Sequence, residues 1–324
     1  MPKVSVVIPT YNRLYRLQQV LAQLAQQTYP LDEFEVIVIS DGSSDGTHEA
    51  LAQFQPPYRF TLLIQANQGP AAARNNGIGR ATGEYVLFID DDVVPTPQLI
   101  AEHMAVHARA GANAIVLGPM LTPSDFHLSP WVRWEQAMLV KQYSSMNNGH
   151  WAPTARQFYT GNTSLARAHL VASGGFDPAF RRAEDVELAY RLSQNGLEFI
   201  FQATAIGYHY AERSFRSWME TPYAYGRNDV IFSRDKQQPW LLPAVFAEFQ
   251  KRNPLIRLLV RICLDRHGLS RSTVASLKLI GQQSDRLGAE RLVEMTHSGI
   301  FNLRYYQGIA DEIGGRKRFF TQVH

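Results

Sequence analysis

The sequence predicts an α/β protein built on a doubly wound, mostly parallel sheet. Short apolar segments rich in β-branched residues alternate with stretches whose apolar residues recur at helical spacing. The connections between them are short, as in successive β-α units. One apolar segment, EYVLFIDDDVV at residues 84–94, changes abruptly to three consecutive carboxylates. Because ligands collect beyond the carboxyl ends of parallel strands, this segment predicts a buried strand ending at a functional edge.

The first part of the chain justifies this fold class element by element. Apolar segments predict strands, and each is followed by a polar loop and a helix-like stretch. Asp45, at the end of the second loop, is placed to cap the helix that follows. The loops all follow strand ends, so they belong to one edge of the sheet. The predicted strands are 4–8, 35–40, 58–64 and the segment before the triplet, and the predicted helices begin near residues 14, 47 and 69.

The pattern changes after the triplet. A helix is predicted up to residue 109, strands at 114–117 and 198–206, and a helix at 184–195 that ends at a glycine. Residues 119–160 are predicted to be irregular. Their scattered aromatic side chains indicate either a substrate-binding or lid segment, or anchors that attach a loop to the core.

From about residue 237 the composition shifts to helical segments punctuated by prolines. We therefore expect a domain at 1–236, with halves 1–118 and 119–236, and a C-terminal helical extension at 237–324. Residues 255–264 are apolar except for Arg257 and Arg261, which suits either a membrane interface or packing on the main domain; base rates favour packing. The segment GGRKRFF at 314–320 suits an anionic membrane surface or a solvated end.

Composition excludes several classes of protein. The 324 residues suffice for one large α/β domain with an appendage, or for two domains. A net charge of +3 does not indicate nucleic acid as a partner. The single cysteine, Cys263, excludes an internal disulfide and fits a reducing compartment. No stretch approaches the ~20 apolar residues of a membrane span, and the first apolar run is too short for a secretory signal, so we expect a cytoplasmic protein.

The acidic triplet Asp90, Asp91 and Asp92 is the strongest local signal of chemistry. Three adjacent carboxylates repel one another and lose hydration unless a cation offsets them. Mg²⁺ or Mn²⁺ takes oxygen ligands and commonly bridges carboxylates to substrate phosphates. A solvated turn or a helix cap is the alternative, but it needs fewer acids.

Polar side chains at other strand ends offer contacts for a nucleotide. Asp41 can accept hydrogen bonds from a base or ribose, although Asp-Gly is also a turn dipeptide. Tyr11 can stack on a base, and Arg13 can meet a phosphate, or the two can belong to a capping loop. Arg74 and Asn75 precede the triplet strand and offer a cation and an amide at the same edge.

Two further acids open the helix predicted at 184–195. Glu184 and Asp185 either satisfy free amide groups of the first helical turn, or one of them is a general base. His209 follows a predicted strand and could reach a metal, although a lone histidine is more often structural.

Seven segments of the chain, taken together in their order and spacing, resemble the inverting nucleotide-sugar glycosyltransferases of family 2, which have the GT-A fold. The resemblance covers about residues 3–235. It implies that 1–118 is a Rossmann-like nucleotide-binding half and 119–236 an acceptor and catalytic half. The segments that carry it are VSVVIPTYNR, SDGSSDGT, NQGPAAARNNGIGRATGEYVLFIDDD, GNTSLARA, GGFD, AEDVELAYRL and YH.

The resemblance also implies roles for individual residues. Asp185 would be the catalytic base, with Glu184 supporting it. The metal would be bound by Asp92, the last acid of a DxD motif, together with Asp90 and His209. Acceptor contacts would come from Trp131, Trp134, Gly161 and Asn162. The residues expected to hold the nucleotide sugar are Pro9, Thr10, Tyr11, Arg13, Asp41, Arg74, Asp90 and Asp91.

The implied activity is metal-dependent, inverting transfer of one sugar, with Mg²⁺ or Mn²⁺ as cofactor. The donor would be a nucleotide-diphosphate sugar, and a UDP-sugar is favoured. The acceptor would be a hydroxyl of a glycan or of a lipid-linked molecule, and the role would lie in cell-surface polysaccharide or glycolipid synthesis.

Processive relatives carry a Gln-x-x-Arg-Trp motif and membrane spans, and this sequence carries neither. Two alternatives are a non-catalytic nucleotide-sugar-binding relative and a sugar-1-phosphate nucleotidylyltransferase. Nucleotidylyltransferases have a Gly-rich first loop, whereas the first loop of this chain reads PTYNR. Peripheral membrane contact is a further expectation.

Overall fold

The structure is a computed structural model that describes residues 2–323. The chain forms two compact units. The first contains the chain up to Phe126 together with Leu139–Ala211, and the second contains His127–Met138 and the chain from Glu212 onward. The domain boundaries expected from composition, at residues 118 and 236, stay a prediction, because compactness does not test independent folding.

Strands and helices alternate through the first unit, as the sequence predicts, and the helices from Phe215 onward belong to the second unit. The strands are β1 (Val4–Thr10), β2 (Phe34–Asp41), β3 (Arg59–Gln65), β4 (Tyr85–Ile89), β5 (Val93–Pro95), β6 (Ala114–Leu117), β7 (Met120–Leu121), β8 (Asn162–Ala166), β9 (Glu198–Phe201) and β10 (Gly207–His209). The helices are α1 (Leu14–Leu24), α2 (Thr47–Ala52), α3 (Pro70–Arg80), α4 (Leu99–Ala110), α5 (Pro130–Asn147), α6 (Arg167–Ala172), α7 (Glu184–Gln194), α8 (Phe215–Asp235), α9 (Leu241–Lys251), α10 (Pro254–Cys263), α11 (His267–Arg286), α12 (Glu290–Ile313) and α13 (Arg316–Val323), with a 3₁₀ turn at Ala155–Gln157.

The sheet is mixed but mostly parallel, which confirms the predicted fold class. In the part of the chain that the structure describes, a seven-stranded sheet has the order β3-β2-β1-β4-β8-β6-β9. Strands β1 to β4 run parallel, as do β6 and β9, and only β8 is antiparallel to its neighbours. A second, three-stranded sheet has the order β5-β10-β7.

The central strands are buried on both faces. Every residue of β2 and β4 is buried, and Val6 of β1 and Leu87 of β4 have no exposed surface. Leu17 and Leu21 of α1 belong to the same core cluster, as the helical spacing predicts. Because β1 to β4 run parallel, the polar residues that follow these buried strands all emerge at the same edge of the sheet.

Two predicted elements are wrong. Residues 130–147 form the helix α5 rather than an irregular segment. Its buried residues include Gln136 and Tyr143, whereas Met138 and Val140 are exposed, so the apolar pattern does not follow the buried face. The strand predicted at 198–206 is interrupted after Phe201 by a turn in which the carboxylate of Glu102 accepts hydrogen bonds from the Gln202 and Thr204 side chains.

The second unit contains helices that approach closely at two glycines. Helices α8 and α12 contribute Gly226 and Gly308. A Cβ on Gly226 would lie 2.0 Å from the backbone oxygen of Tyr305, and a Cβ on Gly308 would lie 2.1 Å from that of Tyr223. Both distances are far inside van der Waals contact, and backbone atoms cannot turn away as a flexible side chain can. Within residues 2–323, no helix is both long and apolar enough to cross a membrane.

We expect Gly308→Ala to lower the free energy of unfolding by about 3 kcal/mol, because the added methyl group forces α8 and α12 apart. Denaturant titration followed by circular dichroism measures this change. The matched control is Gly268→Ala in α11, where a Cβ meets no heavy atom within 4 Å. That variant should be neutral or more stable by up to about 1 kcal/mol. Equal midpoints for the two variants would contradict the close packing.

Candidate active site

The candidate site lies where strands of the seven-stranded sheet end. Thr10 is the last residue of β1, Asp41 is the last residue of β2, and Asp90 directly follows β4. Parallel pairing keeps these ends in register, since Thr10 pairs with Ser40 and Asp41 with Gln65. The sheet therefore gathers at one edge side chains that are up to 81 residues apart in sequence.

Arg74 of α3 connects the acidic triplet to the Glu184-Asp185 pair. Its Nη2 donates to Asp90 Oδ1 at 2.8 Å, and its Nη1 donates to Glu184 Oε1 at 2.8 Å. The side chain is buried, with its guanidinium 5.7 Å from the ring centre of Phe176. Burial alone would lower the pKa of Arg74, but the Asp90 and Glu184 carboxylates raise it above its ordinary value, so the bridge is charged.

Asp185 is the acid of this pair that Arg74 does not bind directly. It lies in the first turn of α7, and its Oδ1 accepts a hydrogen bond from the Val186 backbone N–H at 2.8 Å. Burial and then the adjacent Glu184 charge raise the pKa of Asp185 above its usual range, against the opposing effect of Arg74. A carboxylate with a raised pKa is a better proton acceptor, which is the property that a general base requires.

The other two acids of the triplet face the loop after β1. Thr10 Oγ1 donates to Asp91 Oδ2 at 2.7 Å. Arg13 forms an ion pair with Asp92, and its Nη1 lies 3.7 Å from Asp91 Oδ1. Burial and the neighbouring Asp92 charge raise the pKa of Asp91 to about 7. Burial would also raise the pKa of Asp92, but His209 and Arg13 hold it well below its usual range. Asp92 is therefore the charged member of this pair of neighbouring acids.

The residues that the sequence assigns to a metal are brought close together only in part. His209 Nε2 lies 3.5 Å from Asp92 Oδ1, whereas the Asp90 carboxylate is bound by Arg74. Across residues 2–323, no group of three or more His, Cys, Asp or Glu side chains is arranged to hold a metal ion. The donor set nevertheless fits a divalent cation, because carboxylate oxygens adjoin an imidazole whose buried Nδ1 has no hydrogen-bond partner. Metal binding by Asp90, Asp92 and His209 stays a prediction.

Asp41 is held by the loop that precedes α3. Its carboxylate accepts hydrogen bonds from Gln65 Nε2 at 2.8 Å and from the backbone N–H groups of Gln68 and Gly69 at 2.9 and 2.8 Å. These bonds fix the start of α3, the helix that carries Arg74. Contact between Asp41 and a nucleobase stays a prediction.

The loop after β1 presents Tyr11 to solvent. The Tyr11 side chain is 52% exposed, while Pro9 still belongs to β1. Asn12 has a φ of 53°, in the left-handed region, and its Oδ1 accepts a hydrogen bond from the Ser44 backbone N–H at 2.7 Å. The loop is thus tied to the loop after β2, which leaves the Tyr11 ring free to stack on a planar ligand.

The Asp45 carboxylate binds the first residues of two helices. Gly46 is the N-cap residue of α2, and Asp45 Oδ1, directly before it, accepts a bond from the Thr47 backbone N–H at 3.3 Å. Its Oδ2 accepts a bond from the Leu14 backbone N–H at 2.9 Å, at the start of α1, which the sequence did not indicate. One carboxylate therefore holds two loops of the candidate site together.

The four predicted acceptor residues lie in different surroundings. Gly161 lies beside the acidic triplet, where a Cβ would be 3.0 Å from Asp90 Oδ2. Trp131 and Trp134 belong to the second unit, where they pack on its core cluster and Trp131 Nε1 donates to the Arg213 backbone oxygen at 2.9 Å. Their contacts match the expectation of aromatic anchors, and an acceptor role for them stays a prediction.

Asn162 belongs to a buried polar network that the sequence did not indicate. Its Nδ2 donates to the backbone oxygens of Pro119 and Ala205 at 3.0 and 2.8 Å, and its Oδ1 lies 2.9 Å from His103 Nε2. The other ring nitrogen of His103 lies 2.8 Å from the Ser164 hydroxyl. Burial lowers the pKa of His103 to about 4, so the ring is neutral at neutral pH. These bonds give Asn162 a structural role, and acceptor contact by it stays a prediction.

Asn75 has a partner that the sequence did not reveal. Its Nδ2 donates to the Phe176 backbone oxygen at 2.8 Å, and its Oδ1 accepts from the Phe176 N–H at 2.8 Å. Gly175 has a φ of 73°, and a Cβ there would lie 2.4 Å from Asn75 Oδ1. The GGFD segment is the sequence signal for this contact, since its second glycine permits both the conformation and the close approach.

Comparison with known proteins identifies several relatives. The chain is 33% identical over 225 residues to validoxylamine A glucosyltransferase of Streptomyces hygroscopicus subsp. jinggangensis, covering 60% of this chain and 52% of that protein. It is 27% identical over 251 residues to glycosyltransferase AglE of Haloferax volcanii, covering 76% of each. The chain spans about half the length of the validoxylamine A glucosyltransferases that it matches, 52% and 49%.

Solved structures show the same fold. TarS from S. aureus in complex with UDP has a TM-score of 0.58 at 18% identity, covering 94% of this chain and 90% of that one. Mannosyltransferase PcManGT from Pyrobaculum calidifontis, in complex with GDP-Man and Mn²⁺, has a TM-score of 0.61 at 20% identity, covering 94% and 87%. These likenesses confirm the predicted GT-A fold. The model of the family described as glycosyl transferase family 2 matches residues 5–172, about half of the sequence, and the chain belongs to that family.

Proposed function

We propose that the chain is a metal-dependent, inverting glycosyltransferase that moves one sugar from a nucleotide-diphosphate sugar to an acceptor hydroxyl. The observation that carries this proposal is the pair of hydrogen bonds from Arg74 to Asp90 and Glu184. Through it the triplet, where a diphosphate is expected, is linked to the helix that carries Asp185. Membership of family 2 supports the proposal over a sugar-1-phosphate nucleotidylyltransferase.

The donor side of the site is the edge formed by β1, β2 and β4. We propose that the exposed Tyr11 ring stacks on the base and that Arg13 meets the diphosphate. Two structural relatives support a nucleotide-sugar donor, because TarS is in complex with UDP-GlcNAc and PcManGT with GDP-Man. A UDP-sugar as donor, and a role in cell-surface polysaccharide or glycolipid synthesis, remain part of the proposal.

Asp92 and His209 would hold the metal, with Asp90 as a further ligand. Asp92 stays charged because its pKa is depressed, and His209 offers a nitrogen beside it. A bound Mg²⁺ or Mn²⁺ would supply Lewis acidity and would neutralise charge on the departing nucleoside diphosphate. In the structure Arg13 provides positive charge at Asp92, so we infer that Arg13 moves from Asp92 to the diphosphate when donor and metal bind.

Asp185 would accept the proton of the acceptor hydroxyl. The oxygen attacks the anomeric carbon from the face opposite the leaving group, so its configuration inverts. Glu184 cannot serve equally well, because its carboxylate is paired with Arg74. One base suffices, because the leaving group departs as a diphosphate and needs no acid of the kind that glycosidases supply.

A thermal-shift screen of UDP, GDP and their sugars, with and without Mn²⁺, tests the donor class. We expect one nucleotide to raise the melting temperature only when Mn²⁺ is present, because the proposed metal bridges the triplet and the diphosphate. A ligand that binds only the folded state stabilises it by about 2.7 kcal/mol at 100 times its Kd. Mn²⁺ alone and nucleotide alone are the controls. The absence of any nucleotide-dependent shift with Mn²⁺ present would refute the proposal.

A further inference from the structure

The helix α10 exposes an apolar ridge. Leu255, Leu258 and Ile262 follow one another at spacings of three and four, so they lie on one face, and each is between 43% and 59% exposed. The opposite face is buried, since Val260 and Cys263 are at most 1% exposed. One side of α10 therefore packs within the second unit, and its other side exposes leucine and isoleucine side chains. Such a ridge is costly in water unless a partner covers it.

Basic side chains adjoin this ridge. Arg261 is exposed and lies one helical turn after Leu258, beside the ridge. Residues 249–284 contain seven Lys and Arg residues against a single acid, Asp265, and one of the seven, Arg252, is paired with Glu248 directly before the segment. The Asp265 carboxylate is bound within the unit, where it accepts hydrogen bonds from Gln307 Nε2 at 2.9 Å and from the Arg316 backbone N–H. The segment is thus far more basic than a chain whose net charge is only +3.

A second basic element adjoins the end of α10. Arg316 of α13 donates through Nη1 to the Leu264 backbone oxygen at 3.2 Å, directly after α10. Together with Lys317, Phe320 and Thr321 it lines an open depression of about 410 Å³. The Arg316 guanidinium lies 5.0 Å from the centre of the Phe320 ring. This depression offers two cations, a hydroxyl and an aromatic ring, which together suit a phosphate group attached to an apolar molecule.

We propose that α10 and α13 bind the surface of a membrane that contains anionic phospholipids. The leucine ridge enters the boundary between headgroups and acyl chains, and the basic side chains of 249–284 and α13 contact the lipid phosphates. The charge argues for lipid rather than a second copy of the chain, because two such basic faces repel each other. Since no helix within residues 2–323 is long and apolar enough to span a bilayer, the contact is peripheral.

Co-sedimentation of the full chain with phosphatidylcholine vesicles, with and without phosphatidylglycerol, tests this surface. We expect binding only to the vesicles that contain phosphatidylglycerol, and a decrease in binding as salt is raised. The double variant Leu255→Ser and Leu258→Ser should bind at least about tenfold more weakly, because it removes most of the apolar ridge. Arg261→Gln should weaken binding by about fivefold.

Two matched controls distinguish binding through this surface from nonspecific binding of the chain to vesicles. Leu287→Ser removes the most exposed leucine, at 82%, from outside α10, and Arg59→Gln removes an exposed arginine from β3. Both should bind vesicles like the unaltered chain. A far-UV circular dichroism spectrum and a melting temperature equal to those of the unaltered chain show that the double variant is folded.

Three outcomes would overturn the inference. The first is no sedimentation with either kind of vesicle, and the second is equal loss of binding in Leu287→Ser and in the double variant. The third is a dimer in solution, measured by light scattering, that the double variant converts to a monomer, because a second copy would then cover the ridge. None of these outcomes bears on donor binding, because the residues expected to hold the nucleotide sugar lie in the first unit.

Discussion

Replacing Asp185 with asparagine is expected to lower kcat for sugar transfer by about a thousandfold while leaving donor binding unchanged. The substitution keeps the shape of the side chain but removes its ability to accept the acceptor proton, and a positioned general base contributes about 10²- to 10⁴-fold. Burial and Glu184 raise the pKa of Asp185, so the base is stronger than an exposed aspartate. Initial rates at saturating donor and acceptor, with the Mn²⁺-dependent thermal shift as a measure of donor binding, test this prediction.

The pH profile provides a second readout of the same carboxylate. A general base must be unprotonated, so kcat/KM should fall as the pH decreases through its pKa. Because the pKa of Asp185 is raised, this acidic limb should lie above the range of an ordinary aspartate, and it should be absent from the residual activity of Asp185→Asn.

Glu184→Gln is the matched control for the base. Its amide oxygen can still accept the hydrogen bond from Arg74, and Asp185 is retained. We expect a loss of about tenfold or less, because the ion pair with Arg74 is weakened but the proton acceptor remains. If Glu184→Gln lost more activity than Asp185→Asn, the roles of the two acids would have to be exchanged.

The sequence predicts those parts of the fold that depend on local patterns. β1, β2 and β4 are found because they are continuous apolar runs, and α1 because its leucines recur at helical spacing. The β5-β10-β7 sheet is missed, because strands of two or three residues carry no period of their own and form only by pairing with distant segments. Helix α5 is missed because a buried glutamine and exposed apolar residues obscure its face.

In the candidate site, too, the features that depend on neighbouring residues can be predicted from the sequence, and the long-range contacts cannot. The acids of the triplet and of the Glu184-Asp185 pair are conspicuous because like charges adjoin in sequence. The contact of Arg74 with Glu184 joins residues 110 positions apart, and no local pattern distinguishes Arg74 from a surface arginine. Likewise, the partners of Asn162 are two backbone oxygens and a histidine that only the folded sheet brings near. Long-range partners of this kind depend on the packing of the sheet, and a single sequence does not encode them locally.

Asp92→Asn is expected to abolish the Mn²⁺-dependent thermal shift with nucleotide and to lower transfer by about a thousandfold. Asp92 is the acid of the triplet whose pKa is held low, and it lies beside His209, so it supplies the negative charge on which a divalent cation depends. Several kcal/mol of charge stabilisation from a metal correspond to a factor of this size. Isothermal titration with Mn²⁺ and nucleotide measures the binding directly.

The matched control is Asp91→Asn, one position away. Asp91 is buried, its pKa is raised to about 7, and it accepts a hydrogen bond from Thr10, which an asparagine oxygen can also accept. Its charge therefore matters less than that of Asp92, and we expect Asp91→Asn to retain the Mn²⁺-dependent shift and to lose about tenfold or less in rate. If Asp92→Asn retained the shift and Asp91→Asn lost it, the metal would be bound by the middle acid. If both variants retained the shift, neither Asp91 nor Asp92 would be needed to bind the metal, and the assignment of Asp92 as its main ligand would be wrong.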